Sequence, residues 1–321
     1  MSRLEGLKTP SGIGCYVRRL SINIATLEPE DELILSSIFD YVVNLTALKV
    51  IYRKEDAYHY YYLISACCRR TSLKKLHVEE DGLDMAVTPT DPEGSIPGDY
   101  FVDHLIQAVL TVDGLCLEAF VHIASLPLHP STFMVLRTRA THLRTIVFRT
   151  SIQSHLRTLF NQPTQWASAS TLRKLVIRTC FGVHYGVVAL HVANGVYGQL
   201  KRLSIVRSGY DDRGLFEAVK QPPTWTINVL ERLDIDHADR QEVIALSTIH
   251  AKEVYATRVF LSAIIEALKA GGWPKMRTLH TMPQGDGSGP LLLELKRVCD
   301  DREICLLTDA VPFSKCNCHD E

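Results

Sequence analysis

The chain has 321 residues, 46% of them hydrophobic and 22% charged, a balance that supports a substantial folded core and excludes a mostly disordered chain. Lys and Arg number 35 against 36 Asp and Glu, so no global charge draws it toward nucleic acid or anionic lipid. The opening Met1-Ser2-Arg3-Leu4-Glu5 lacks the apolar stretch of a secretory signal, no long uncharged apolar run follows, and nine scattered cysteines do not form a disulfide framework. These features predict a cytoplasmic or nuclear chain that does not enter a membrane and keeps its thiols reduced.

One phrase recurs along the sequence: an apolar residue, two polar ones, an apolar one, one variable residue, then another apolar. In chain order its copies start at Val17, Leu48, Leu73 and Leu117, then at Leu143, Leu172, Leu200 and Leu230, with looser copies at Ala251 and Met276 and a possible eleventh at Ile304. The clearest are Leu143-Arg144-Thr145-Ile146-Val147-Phe148, Leu172-Arg173-Lys174-Leu175-Val176-Ile177, Leu200-Lys201-Arg202-Leu203-Ser204-Ile205 and Leu230-Glu231-Arg232-Leu233-Asp234-Ile235. The register at Leu117 has rivals at Val112 and Leu115. Within each phrase the fourth and sixth residues are expected to alternate with exposed ones, the period of a strand with one buried face. Helical spacing of apolar residues fills several intervals, best at Phe260–Leu268 and also at 31–41, 58–68, 101–110 and 291–298. A strand, a crossover helix and another parallel strand, repeated about ten times, predict an α/β leucine-rich-repeat solenoid, or horseshoe, with a parallel sheet on its concave face. The predicted repeat domain covers residues 1–310, with an inserted loop at about 81–100 and a flexible tail at 311–321.

Phrases such as Tyr16-Val17-Arg18-Arg19-Leu20-Ser21-Ile22, Asn44-Leu45-Thr46-Ala47-Leu48 and Leu172 to Cys180 resemble the leucine-rich-repeat region of the F-box-like families of mushroom-forming, basidiomycete fungi. The resemblance implies a substrate receptor: in that family an N-terminal F-box docks on a Skp-type adaptor of a cullin-RING ubiquitin ligase while the repeats hold the substrate. The stretch before the first strand phrase is too short for an F-box, and residues 27–42 suit a repeat helix better, so no complete F-box is identified and the adaptor is expected only if one is cryptic or supplied elsewhere.

Two surfaces follow from stacking the phrases. The third, fifth and seventh positions face the concave side and give Lys75 and His77, Lys174 and Arg178, Arg202, and Arg232 and Asp234, with Tyr52 and Tyr255 as aromatic anchors. Together these are the predicted partner-binding residues, variable side chains on a rigid scaffold. The second position is basic in eight of ten phrases, Arg18, Lys49, Lys74, Arg144, Arg173, Lys201, Lys252 and Arg277 against Glu118 and Glu231, which makes nucleic-acid or polyphosphate binding along a basic rim the alternative. No catalytic residues, cofactor or metal are expected: Cys316-Asn317-Cys318-His319 lacks a second ligand pair, Gly285-Asp286-Gly287-Ser288-Gly289-Pro290 lacks a following Gly-Lys-Ser/Thr, Cys67-Cys68 does not open a helix, and apolar-flanked His122 and His191 suit packing.

Overall fold

The computed structural model describes residues 13–27, 31–53, 60–67, 69, 71–82, 100–124, 128–150, 167–179, 199–207, 230–282 and 289–308. The predicted tail, most of the predicted inserted loop, His191, the Cys316 to His319 group and Gly285 to Ser288 lie outside these residues. The chain divides into two compact units, Met1–Leu172 and Arg173–Glu321.

The first unit carries five parallel strands in chain order: β1 (Arg19–Asn23), β2 (Ala47–Tyr52), β3 (Lys75–Glu80), β4 (Ala119–Ile123) and β5 (Thr145–Thr150). The second carries six: β6 (Lys174–Thr179), β7 (Arg202–Arg207), β8 (Leu230–Asp236), β9 (Ala251–Thr257), β10 (Thr278–Thr281) and β11 (Cys305–Leu307). Every pairing is parallel, as strands joined by crossover connections require. The class is therefore α/β with a parallel sheet, as the repeats predict.

Among the described residues the helices are α1 (Asp31–Tyr41), α2 (Tyr61–Cys67), α3 (Tyr100–Leu110), α4 (Pro130–Arg139), α5 (Arg240–Leu246), α6 (Leu261–Lys269) and α7 (Gly289–Asp301), each between two strands or two strand phrases. The periodicity predicts α1, α2, α3, α6 and α7 and misses the other two. Helix α4 has almost no apolar asymmetry; it starts on Pro130, whose missing N–H costs nothing at a first helical position. Helix α5 is one of the shortest, and is fixed by a capping box in which Asp239 accepts from the Glu242 N–H while Glu242 accepts from the Asp239 N–H. Among the described residues no helix is long and apolar enough to cross a membrane.

The core forms in columns. Leu20, Leu48, Leu76, Phe120 and Ile146 pair in register in the first unit, and Leu175, Leu203, Leu233, Val254, Leu279 and Leu306 do so in the second. A second column two residues on runs Ile22, Val50, Val78, His122 and Phe148, then Ile177, Ile205, Ile235, Ala256 and Thr281. Most of these side chains are fully buried. At β4 the register resolves in favour of Leu117, which is buried where Val112 and Leu115 are not.

Two registers differ from the prediction. Leu48 pairs with Leu20 and Leu76, each 28 residues away, so Leu48 is the fourth residue of its phrase and Leu45 the first. Apolar residues at 45, 48, 50 and 51 fit two frames, and the frame chosen from sequence is displaced by an odd number of residues, which turns every side chain to the other face. The eleventh strand exists, but Leu306 takes the place predicted for Leu307.

Carbonyls at the second phrase position close each turn. The Arg18 carbonyl accepts from the Thr46 and Ala47 N–H groups, the Lys74 carbonyl from Glu118 and Ala119, and the Lys201 carbonyl from Glu231 and Arg232. Buried acids tie successive helices together: Glu32 of α1 accepts from the Tyr62 and Leu63 N–H groups at the start of α2, and Asp103 of α3 accepts from the His129 N–H just ahead of α4. In each case a carboxylate occupies the N-terminal, electropositive end of the next helix.

Candidate binding face of the sheet

The sheet face opposite the core presents the third, fifth and seventh phrase positions, and the fifth forms its middle column. In the first unit that column reads Ser21, Lys49, His77, Val121 and Val147; in the second it reads Val176, Ser204, Asp234, Tyr255, His280 and Leu307. Strands about 4.8 Å apart hold these side chains as close neighbours. His77, Val121, Val147, Val176, Ser204 and Asp234 are buried on this face.

Of the predicted contact residues, Lys174, Arg202, Arg232, Asp234 and Tyr255 lie together on the second unit, and Lys75 and His77 lie on the first. Arg178 pairs with Val206 on this face, and its side chain lies outside the description. Tyr52 is corrected: the displaced register of β2 puts it in the core, 0% exposed, with its ring 6.0 Å from that of Phe101. Lys49 takes its place on the open face. His77 and Asp234 are also corrected as direct contacts, because both are buried and can act only through their neighbours.

In the first unit Lys49 Nζ stands 2.6 Å from Glu79 Oε2, and His77 Nε2 is 3.2 Å from the same oxygen. The imidazole and the ammonium hold the Glu79 carboxyl down to about 2, His77 contributing most. Burial is the main cause that lowers the His77 pKa, so its ring is neutral at pH 7.

The second unit builds a more extended array around Asp234. Its Oδ1 accepts from Arg232 Nε at 2.6 Å and its Oδ2 from Arg202 Nε at 3.1 Å, with Arg202 Nη2 3.0 Å from the same oxygen. Asp234 is 0% exposed while the two guanidiniums keep about a third of their surface, so a buried anion anchors two half-buried cations. The Arg232 guanidinium lies 3.6 Å over the Tyr255 ring, and the opposite face of that ring stacks on His280 at 3.8 Å and 7°. Cation–π attraction and ring stacking join three flat groups from β8, β9 and β10 into one ladder. Desolvation raises the Tyr255 pKa and lowers that of His280, leaving a protonated phenol and a neutral imidazole. Asp236, also 0% exposed, is held by two bonds from Arg258.

Sequence reasoning missed His280 and Arg258 and put Lys49 in the rim column, whereas Glu79, the seventh residue of the Leu73 phrase, falls on this face as the phrase positions predict. His280 had a signal, since it is the fifth residue of the Met276 phrase and therefore next to Tyr255. Arg258 had none, because it follows its strand and reaches back to Asp236 from a left-handed backbone, φ 53°.

The basic rim is partly neutralised within itself. Lys74 Nζ is 2.9 Å from Glu118 Oε1 and Lys201 Nζ is 2.8 Å from Glu231 Oε1. The β2 register also puts Thr46, not Lys49, in the rim column. Among the described residues no group of three His, Cys, Asp or Glu side chains is placed to hold a metal ion.

No protein-family model matches the sequence, and no curated protein matches it.

Proposed function

We propose that this chain is a protein-binding scaffold of the leucine-rich-repeat type that performs no chemistry of its own and recognises another protein through the open face of its parallel sheet. The observation that carries this is the array around Asp234. Four partly exposed side chains, from Arg202, Arg232, Tyr255 and His280 on four successive strands, are locked by a buried carboxylate and by stacking. Side chains ordered before binding lose little entropy on association, and Arg and Tyr are favoured at the energetic centres of protein interfaces. By the family resemblance of its repeat phrases, we propose kinship with the substrate receptors of cullin-RING ubiquitin ligases, acting in the cytoplasm or nucleus. The pairing of Lys74 and Lys201 with glutamates favours a protein over a polyphosphate along the rim.

The test is quantitative mass spectrometry of proteins retained from cell extract by three forms of the chain. The open-face variant Lys174→Glu plus Glu253→Arg is expected to lose a reproducible partner, whereas the helix-face variant Ile244→Glu plus Lys296→Glu retains it. Loss on the helix face instead, or no reproducible partner for the wild type, contradicts the proposal.

A further inference from the structure

We propose that the open face of the second unit receives an acidic segment of its partner, whose carboxylates seat along Lys174, Arg202 and Arg232 and against the outer edges of Tyr255 and His280. The proposal rests on the protein-binding role above and names the chemistry of the partner.

The argument is one of unused donors. Lys174, Arg202 and Arg232 pair in register on three adjacent strands, forming a basic row. The carboxylate beneath the row is already committed on both oxygens, Oδ1 to Arg232 and Oδ2 to Arg202. A guanidinium has five N–H donors in a rigid fork, so the bonds to Asp234 fix each fork and leave terminal N–H groups unspent. Lys174 has no ion pair among the described residues and keeps three donors.

The ladder extends the same pattern. Both faces of the Tyr255 ring are covered, by Arg232 on one side and His280 on the other, so only ring edges remain to meet a partner. The Tyr255 phenol O–H is a further donor, and the neutral His280 ring carries one N–H. Three cations against one buried anion leave the row positive, and the exposed Glu253, paired in register with Arg232, bounds it on the β9 side. An anionic partner is therefore steered toward β6 and β7.

The experiment is fluorescence anisotropy of the full chain with three labelled peptides: alternating Glu and Ser, its Gln and Ser counterpart, and a phosphoserine version. A labelled single-stranded oligonucleotide serves as the fourth probe. The Glu peptide is expected to bind at least about tenfold more tightly than the Gln peptide, and its affinity to fall as salt rises. Lys174→Glu weakens it by about tenfold without disturbing Asp234. The triple change Arg202→Gln, Arg232→Gln, Asp234→Asn removes both guanidinium charges and the anion together, so it keeps the fold and abolishes binding; a thermal melt verifies folding. Equal binding of the Glu and Gln peptides, binding of the phosphoserine peptide or the oligonucleotide alone, or full affinity in Lys174→Glu overturns the proposal. If a partner is lost with the open-face variant yet the Glu peptide does not bind, the protein-binding role stands and only the acidic chemistry fails.

Discussion

Asp234 is fully buried with a guanidinium on each carboxylate oxygen, and the two sides of that arrangement are not equivalent. Removing the anion leaves two cations that already reach solvent, whereas removing the cations strands a buried charge, at a cost of roughly 3–5 kcal/mol. Arg202→Ala plus Arg232→Ala is therefore expected to destabilise the chain more than Asp234→Asn, and adding Asp234→Asn to the double variant restores much of the loss in denaturant melts. Equal costs for the two would contradict this. Two further groups contribute to a pH dependence of stability. Desolvation, with a smaller contribution from His77, pushes the His122 pKa from an ordinary 6.5 to about 3. Between those values the unfolded chain binds a proton that the folded chain refuses, so stability present above pH 6.5 is lost as pH falls through that window. Glu79 acts lower down: its stabilisation is present above the usual 4.5 and is lost as pH falls toward about 2. His122→Phe, which continues the column of Val78 and Phe148, is expected to shrink the loss in the upper window, where the lowered pKa values of His77 and His280 leave a remainder, and to keep the lower one, as read from melts across pH. Burial, chiefly, raises the Cys299 thiol to about 11, so it should alkylate far more slowly than the exposed Cys116 and Cys305.

At the scale of elements, the end of α6 shows how a turn becomes indispensable. The Gly271 N–H donates to the Leu268 carbonyl and the Gly272 N–H to the Ala267 carbonyl, with Gly271 at φ 83°, the paired bonds of a Schellman stop. The chain then turns Trp273 into the core, where its indole N–H donates to the Leu246 carbonyl at 3.1 Å. A Cβ on Gly272 would lie 2.6 Å from the Ser247 side chain and 2.7 Å from the Ala267 oxygen. Gly272→Ala is expected to cost about 1–3 kcal/mol in a denaturant melt, and a neutral effect would contradict the packing described. Elements of this kind bound what the sequence shows. Helices α1, α3, α6 and α7 have apolar residues at helical spacing and are visible in the chain. Helix α5 is held by Asp239 and Glu242 and helix α4 by Pro130, so capping chemistry defines them where periodicity does not. Strand β2 is the opposite failure, since a surplus of apolar residues leaves two frames and only its pairing with Leu20 and Leu76 chooses between them.

At the scale of the molecule, the repeated columns decide the fold, because one frame of apolar residues recurring along the chain can be satisfied by parallel pairing and crossover helices. That much is readable from Leu143, Leu172, Leu200 and Leu230 alone. The candidate binding face is readable only in part. Strand alternation puts Lys174, Arg202, Arg232 and Tyr255 on the side of the sheet opposite the core, but which residues of that side stay exposed depends on packing across strands, and a single strand carries no trace of that. The frame of β2 has a direct consequence: Leu48→Lys puts a charge in the core and is expected to unfold the first unit, while Ile51→Lys, on the open face, is tolerated. The most direct test of the central claim replaces Thr278, beside the Tyr255 and His280 stack, and separately Lys296, on the helical side, with a photoreactive phenylalanine. The binding-face account predicts that irradiation in cell extract yields a discrete protein adduct from position 278 and none from position 296, and that Lys174→Glu removes it. Adducts from 296 alone, or the same adducts from both positions, would contradict it.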